Sequence, residues 1–279
     1  MDDTTGAGQD ATAGGGATLS RRIDTTRPHS ARIWNYLAGG KDYYPVDKAA
    51  AERVLTVFPG MRDMTLHSRA FIGRVVRYLA GEVGLRQFLD IGTGLPTQDN
   101  THEVAQRVAP ECRIVYVDND PLVLAHAEAL LTSTPEGRCA YLHADVRDPE
   151  DILRQAAHTL DFSRPVGLML MGVLGLVPDE EEARSIVARL MRALPSGSYL
   201  GLNDGTTTDP AYVEAIRRHN AQSGAVPYTP RSLEQIARFF DGLELLEPGV
   251  VSCARWRLEV TPFGLPDDVA VYGGLAYKP

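Results

Sequence analysis

The sequence is poor in cysteine and has no long apolar segment. Its three cysteines, Cys112, Cys139 and Cys253, are far apart, and none lies in a CxxC or Cys/His ligand pattern. We therefore expect neither a disulfide framework nor a metal site. The longest apolar run, Val166 to Val177, contains glycines and is shorter than the ~20 residues that cross a bilayer. The N-terminus lacks the apolar core of a secretion signal, which predicts a cytoplasmic protein.

Positive charge is also scarce. The chain has 28 lysine and arginine residues against 36 aspartate and glutamate residues, a formal net charge of −8 with neutral histidines. An acidic chain has no electrostatic reason to bind the phosphate backbone of a nucleic acid. We predict a small-molecule substrate, no nucleic-acid partner and no membrane association, and a homodimer stays open.

The N-terminal part of the sequence consists of two segments of different composition. Residues 1–27 are rich in Gly, Ala, Thr and Asp, offer little to bury and are predicted to be a disordered tail. Residues 28–84 are predicted to be a helical extension, with a short helix that stops at Gly39-Gly40 and a second helix from Asp47 to Val57. A longer helix begins near Asp63, and its predicted apolar stripe consists of Leu66, Ala70, Val75 and Leu79.

From Gln87 onward, short apolar strands alternate with helices. The predicted strands are Phe88 to Ile91, Ile114 to Val117, Ala140 to His143, Val166 to Met171, Ser198 to Leu202, Leu243 to Leu246 and Val269 to Ala276. Helices are predicted near Asp99 to Val108, Pro121 to Leu131, Pro149 to Ala157 and Asp179 to Leu194, with two more after Asp209. Repeated βα units at this spacing indicate a parallel sheet that is covered on both faces. The predicted fold class is therefore α/β, a Rossmann-like doubly wound and mostly parallel sheet over residues 85–279.

Acidic residues follow three successive strands. The first strand runs into Asp90-Ile91-Gly92-Thr93-Gly94-Leu95-Pro96-Thr97, the first βα turn, where a doubly wound fold binds a nucleotide-like ligand. The second strand ends at Asp118, whose two oxygens can accept both hydroxyls of a ribose. The third is followed by Asp145, which can accept a hydrogen bond from an adenine amine. We expect the three acids to meet in one crevice, although Asp90 and Asp145 taken singly can also cap their own turns.

The chemistry of the first turn separates two kinds of ligand. A dinucleotide site needs G-x-G-x-x-G, but Thr97 occupies the third glycine position, and Asp90 would repel a pyrophosphate. S-adenosylmethionine carries an ammonium, a sulfonium, a ribose and an adenine, which match the acids at 90, 118 and 145. We therefore predict an S-adenosylmethionine site, with an NAD(P)-dependent oxidoreductase as a third-ranked alternative.

Longer stretches of the chain resemble a known family. From about Arg27 to the C-terminus the sequence is similar to class I S-adenosylmethionine-dependent methyltransferases, and within them to the actinobacterial S-adenosyl methyltransferase family, formerly a domain of unknown function. The segments that carry this resemblance are Pro28 to Asp42, Phe88 to Thr97, Val115 to Pro121 and Glu247 to Val251. The resemblance implies Asp90, Gly92 and Gly94 at the methionine end of the cofactor, Asp118 at the ribose, and Asp145 with Val146 at the adenine.

The first helix and the loop after it are a candidate lid over this site. Ile33 and Leu37 can dock on the core, and Gly39-Gly40 supplies a hinge. The polar and aromatic side chains that such a lid offers are Arg32, Asn35, Tyr36, Asp42, Tyr43 and Tyr44. We complete the candidate cofactor-binding set with Thr93, Asn119, Arg32 and Tyr36.

The sequence names no general base. The resemblance implies histidines after the fourth and fifth strands, but this chain has Leu174-Gly175 and Asn203-Asp204 there. His143, on a predicted buried strand, is interpreted as a core residue. Methyl transfer can proceed by positioning and desolvation, so we predict O- or N-methylation of a small molecule, with a non-catalytic S-adenosylmethionine-binding regulator as the alternative. The candidates for a catalytic role are Asp204, His29 and Tyr43.

Overall fold

Strands and helices alternate through the chain as the sequence predicts. The structure, a computed structural model, describes residues 23–130, 132–258 and 264–279. Within these ranges the strands are β1 (Gln87–Ile91), β2 (Arg113–Asp118), β3 (Arg138–His143), β4 (Gly167–Met171), β5 (Tyr199–Gly205), β6 (Glu244–Leu245), β7 (Val251–Ser252) and β8 (Val271–Tyr277). The helices are α1 (Ser30–Leu37), α2 (Pro45–Val57), α3 (Met61–Tyr78), α4 (Thr101–Val108), α5 (Pro121–Leu130), α6 (Pro149–Ala156), α7 (Glu180–Ala193), α8 (Pro210–Gln222) and α9 (Leu233–Ala237). None of the helices in the described ranges has the length and apolar character of a membrane-spanning segment.

The strands form one mostly parallel sheet. Its order is β3-β2-β1-β4-β5-β8-β6, and β7 pairs with β8. Strands β1 to β5 are parallel to one another, whereas β8 is antiparallel to β5, β6 and β7. This arrangement confirms the predicted α/β, Rossmann-like doubly wound class. Because Asp118 is in register with His143 and Met171 with Asn203, the carboxyl ends of β1 to β5 lie along one edge.

Alternating side chains of the strands fill two cores. Phe88 and Ile114 face a core that includes residues of α1 to α4 and α8. Leu89 and Val115, one residue further along each strand, face a second core with α6 and α7. This alternation follows from the two-residue period of a strand and explains why the central strands are apolar on both faces.

The N-terminal helices belong to the first core. Ile33 and Leu37 are buried in it, as the sequence predicts. The stripe predicted for α3 is wrong at its N-terminal end, because Leu66 is 55% exposed and Ala70 is exposed too. The buried face there includes Ser68, whose hydroxyl accepts a hydrogen bond from Asn203 Nδ2 at 3.2 Å. A partnered hydroxyl can lie inside a core, so counting apolar residues alone misplaced the face.

Two further predictions need correction. His143 is exposed rather than buried, because β3 lies at the edge of the sheet; its Nε2 lies 3.1 Å from the carbonyl oxygen of Asn119. The tail predicted over residues 1–27 does not fit residues 23–27, since Ile23 packs against a small apolar cluster with Leu95 and Leu122. The remainder of that predicted tail lies outside the described residues.

Candidate functional site

The loop between β1 and α4 is a tight glycine turn. Gly92 and Gly94 both adopt left-handed backbone conformations, with φ of 75° and 68°. The backbone N–H groups of Gly92 and Thr93 donate to the carbonyl of Val117, at 2.8 and 3.2 Å, which ties the turn to the end of β2. The Thr93 hydroxyl donates to the carbonyl of Asp90. The turn therefore brings the predicted residues Asp90, Thr93 and Gly94 to the end of β2.

The two glycines differ in the space around them. A β-carbon on Gly92 would lie 2.6 Å from Val173, whereas one on Gly94 would meet nothing within 4 Å. We expect Gly92→Ala to lower the free energy of unfolding by about 1–2 kcal/mol more than Gly94→Ala, since both pay for a left-handed alanine but only the first also overpacks. Urea unfolding of the two variants measures this difference. Equal destabilisation would show that Val173 yields without cost.

Asp90 is a buried carboxylate at the end of β1. Its Oδ2 accepts a hydrogen bond from the hydroxyl of Thr101 on α4, at 2.6 Å. Burial raises the pKa of Asp90 to about 6, and the Asp118 charge adds to this, although the Thr101 hydroxyl and the positive charge of Arg69 on α3 lower it. The Arg69 guanidinium is therefore near enough for its charge to act on Asp90, at the methionine end of the predicted site.

Asp118 is held from two sides by the backbone. Its Oδ2 accepts from the N–H of Gly94 at 2.8 Å, and its Oδ1 accepts from the N–H of Asp120 at 2.9 Å. Burial raises the pKa of Asp118, while these two hydrogen bonds and the nearby His29 lower it. Each carboxylate oxygen has two acceptor positions, so one on each oxygen is left. The backbone bonds fix the direction in which those remaining positions point.

Asp145 follows β3 and is more open. Its side chain is 43% exposed, accepts from the N–H of Arg147 at 2.9 Å, and lies 3.4 Å from Asn119 Nδ2. Val146 beside it is buried in the second core. The structure therefore brings Asn119, Asp145 and Val146 together in the turns after β2 and β3, and Asp145 also caps its own turn.

Four residues join the N-terminal helices to the turn after β2, and we call them the clasp: His29, Arg32, Asp47 and Asp120. His29 Nδ1 lies 3.1 Å from Asp120 Oδ2. Arg32 Nε lies 3.6 Å from the same oxygen and 3.5 Å from Asp47 Oδ1. Asp47 also accepts from the N–H of His29 at 2.9 Å. Through these contacts α1 is fastened beside Asp118.

Arg32 serves this attachment. Its guanidinium donates to the carbonyls of Asp24 and Arg27, at 3.0 and 2.9 Å, and its side chain is almost fully buried. It stands 5.2 Å from the centre of the Tyr44 ring. The structure thus places Arg32 inside the N-terminal segment, one residue away from Asp118, because Asp120 contacts both.

Tyr36 and Tyr43 form a separate cluster on the N-terminal segment. Their rings meet edge to face at 4.9 Å between centroids. The Tyr36 hydroxyl donates to Glu52 Oε1 on α2 at 3.1 Å, and Arg62 lies over its ring at 5.3 Å. Asn35 is buried and accepts from the N–H of Asp42 at 3.0 Å, which fixes the loop after α1.

Asp204, a catalytic candidate from the sequence, is enclosed at the end of β5. Its Oδ1 accepts hydrogen bonds from the Tyr228 hydroxyl and from the N–H of Gly205. Its Oδ2 lies 3.7 Å from Arg231 Nη1. Burial raises the pKa of Asp204 to about 6, against the lowering effects of Tyr228 and Arg231. Among the described residues Asp204 Oδ2 has no hydrogen-bond partner, and the carboxylate lies on strand β5 rather than among the three acids.

Tyr228 explains the glycine after β4. The Tyr228 ring lies over Gly175 so closely that any β-carbon at residue 175 would overlap it. The N–H of Thr229 donates to the carbonyl of Gly175 at 2.8 Å, which holds the loop between α8 and α9 against the end of β4. The place where the resemblance implies a histidine is therefore filled by an aromatic ring from a distant part of the chain.

Four residues of this region were missed by sequence reasoning: Arg69, Thr101, Asp120 and Tyr228. Asp120 stood inside the motif after β2, and the Asp-Pro step before a helix was a visible signal of a capping residue. Arg69 and Tyr228 gave none, because their positions depend on how α3 and the loop after α8 pack on the strand ends.

The groups at the strand ends fit S-adenosylmethionine. Asp90 can hold the ammonium of the amino-acid tail while the Arg69 guanidinium complements its carboxylate. Asp118 keeps two acceptor positions for ribose hydroxyls. A buried carboxylate at the glycine turn suits a cationic ligand and opposes a pyrophosphate, so the structure gives no support to the dinucleotide alternative.

Comparisons with known proteins agree with this fit. Residues 16–279 match the model of a family described as S-adenosyl methyltransferase. A DUF574 family protein from Streptomyces avermitilis is 48% identical, with 92% of this chain and 100% of that chain covered and a TM-score of 0.88. A protein of Thermobifida fusca, described as a candidate methyltransferase, is 38% identical, with 96% and 99% covered and a TM-score of 0.83.

A more distant structure shows the fold alone. It is an S-adenosylmethionine-dependent methyltransferase from Anabaena variabilis, 15% identical, with 74% of this chain and 84% of that chain covered and a TM-score of 0.50. No curated protein matches the chain. The family match and the two close structures together settle its membership: the chain belongs to the S-adenosyl methyltransferase family and is a methyltransferase that uses S-adenosylmethionine.

Proposed function

We propose that the protein methylates an oxygen or nitrogen atom of a small molecule. The observation that carries the proposal is the clasp, which fastens α1 against the turn beside Asp118. A site flanked by α1 and the loop after it suits a compact acceptor. The net charge of −8 gives no attraction toward a nucleic-acid backbone.

The contacts of each residue support a proposed cofactor-binding role. Asp90 and Arg69 bind the two charged ends of the amino-acid tail, and Asp118 accepts the ribose hydroxyls. Asn119, Asp145 and Val146 lie in the turns beside Asp118 and flank the adenine. Gly92 and Gly94 adopt left-handed backbone conformations that favour glycine, and they let the backbone of the first turn approach the ligand.

Catalysis in this proposal rests on positioning and on exclusion of water. When bound, S-adenosylmethionine supplies an electrophilic methyl group. Asp204 Oδ1 accepts from Tyr228 and Gly205, and its Oδ2 lies 3.7 Å from buried Arg231, so we assign this enclosed carboxylate no proton transfer with the acceptor. Tyr43 and the residues of α1 contribute by covering the strand ends, because a desolvated, aligned acceptor reacts without a general base.

Turnover on fractionated metabolites tests the proposal. The protein is incubated with S-adenosylmethionine and the low-molecular-weight fraction of a producing cell, and S-adenosylhomocysteine is measured by mass spectrometry. We expect product to accumulate with this fraction and not with the protein or nucleic-acid fractions. Calorimetry with S-adenosylhomocysteine, and with NAD as the control ligand, verifies the cofactor site separately. Tight binding without turnover on any fraction would favour the regulator over the small-molecule enzyme.

A further inference from the structure

Asp120 connects the N-terminal helices with the acid that faces the ribose. Its side-chain Oδ2 lies 3.1 Å from His29 Nδ1 and 3.6 Å from Arg32 Nε, both residues of the clasp. Its own backbone N–H donates to Asp118 Oδ1 at 2.9 Å. Its Oδ1 accepts from the N–H of Leu122 at 2.9 Å, so the residue is also fixed to the first turn of α5. One residue therefore contacts the lid with its side chain and the ribose acid with its backbone.

The contact between Arg32 and Asp120 is incomplete. Both side chains are almost fully buried, and among the described residues Arg32 Nε and Asp120 Oδ2 have no hydrogen-bond partner. They face each other at 3.6 Å, somewhat beyond the ~2.7–2.9 Å of a charged hydrogen bond. A buried polar atom without a hydrogen bond is costly, even where other atoms of the same group are partnered. A movement of less than about 1 Å would satisfy both atoms at once, so the clasp favours a tighter position of α1.

His29 has a similar choice. Its Nδ1 lies 3.3 Å from the N–H of Ala31, a donor that it caps, and 3.1 Å from Asp120 Oδ2, an acceptor. One nitrogen cannot accept from the first and donate to the second at the same time. When Nδ1 carries a hydrogen and donates it to Asp120, the hydrogen bond that caps α1 is lost and the bond to the turn after β2 is gained.

We propose that Asp120 is a positioning residue that couples closure of the N-terminal helices to recognition of the cofactor ribose. Tightening of the clasp draws Asp120 toward Arg32, and its N–H orients the Asp118 carboxylate for the ribose hydroxyls. By reciprocity, a ligand with ribose hydroxyls stabilises the closed position of α1. The inference rests on the ribose role that the proposed function gives Asp118.

Nucleosides that differ only in the hydroxyls test it. Adenosine and 2′,3′-dideoxyadenosine are titrated into the full-length wild-type protein and into Asp120→Asn, with binding followed by ligand-observed NMR. We expect the wild type to prefer adenosine at least tenfold, and the variant to lose most of this preference while its affinity for dideoxyadenosine changes less than twofold. Preference retained in the variant, or an equal loss for both nucleosides, would overturn the proposal, since a purely structural role weakens both alike.

Hydrogen exchange provides the second readout. On addition of S-adenosylhomocysteine, amides over residues 29–45 should gain protection in the wild type and not in Asp120→Asn. Glu52→Gln is the matched control, because Glu52 lies on the same segment but contacts Tyr36 outside the clasp, and it should behave as the wild type. If Asp120→Asn does not fold, His29→Gln replaces it, because His29 is the partner of Asp120 on the N-terminal side. The same results are expected for this variant. If the wild type binds S-adenosylhomocysteine and yet binds adenosine and dideoxyadenosine equally well, that result would contradict this inference and leave the proposed function standing.

Discussion

Replacing Asp118 with alanine is expected to weaken the binding of S-adenosylhomocysteine by about 1–3 kcal/mol, up to about 150-fold. The change removes a charged acceptor for two ribose hydroxyls. It also releases the N–H groups of Gly94 and Asp120, which this carboxylate holds at 2.8 and 2.9 Å. Calorimetry measures the affinity, and circular dichroism verifies that the variant is folded.

Asp145→Ala is the matched control for this experiment. Its carboxylate also follows a strand of the sheet, but it is 43% exposed and caps its own turn. Exposed charged groups contribute less than about 1 kcal/mol, so its loss should be the smaller one. An Asp118→Ala protein that is folded and binds as tightly as the wild type would remove this residue from the cofactor site.

The affinity for S-adenosylhomocysteine is expected to fall about tenfold between pH 7 and pH 5. Burial raises the pKa of Asp90 to about 6, so the carboxylate is largely ionised at pH 7 and largely neutral at pH 5. Only the ionised form attracts the ammonium of the ligand. Binding should therefore release protons near pH 6, because the ammonium of the ligand lowers the pKa of Asp90.

Calorimetry in two buffers of different ionisation enthalpy measures this release, and Asp90→Asn is the control. The asparagine variant should bind more weakly at pH 7 and show a flatter dependence on pH. The raised pKa of Asp90 has the opposite effect on stability: the free energy of unfolding decreases as the pH rises, whereas the affinity for the ligand increases. The pKa of Asp90 is raised from 3.8 to about 6 on folding, so its contribution to stability is full below 3.8 and is lost as the pH rises through 6. A wild-type affinity that is constant from pH 5 to 7 would contradict the role of Asp90.

The fold and the three acids could be predicted because both depend on local sequence. Strands such as β1 and β2 are continuous apolar runs, and an acid directly after a parallel strand must lie at the ligand-binding edge of the sheet. The order of the acids along the chain then gives their order in space. Asp90 and Asp118 accordingly lie where the sequence placed them, although their roles toward a ligand stay predictions.

The partners of those acids could not be predicted, because they come from elements that meet only on packing. The charge of Arg69 acts on Asp90 from a helix whose buried face was misjudged at Leu66. Arg32 was assigned to the ligand, and in the structure its Nε lies 3.6 Å from Asp120 Oδ2. Both cases have one cause. The sequence does not distinguish a polar side chain that faces the ligand from one that contacts and positions another residue.

The Tyr228 ring occupies the space beside Gly175, so the residues acceptable at 175 depend on the residue at 228. Any side chain at 175 must occupy space that the Tyr228 ring now fills, and moving that ring also breaks its hydrogen bond to Asp204. Because overpacking and the loss of a hydrogen bond to a buried carboxylate are both destabilising, we expect a side chain at 175 to require a smaller residue at 228. A change at one position is then conditional on a change at the other.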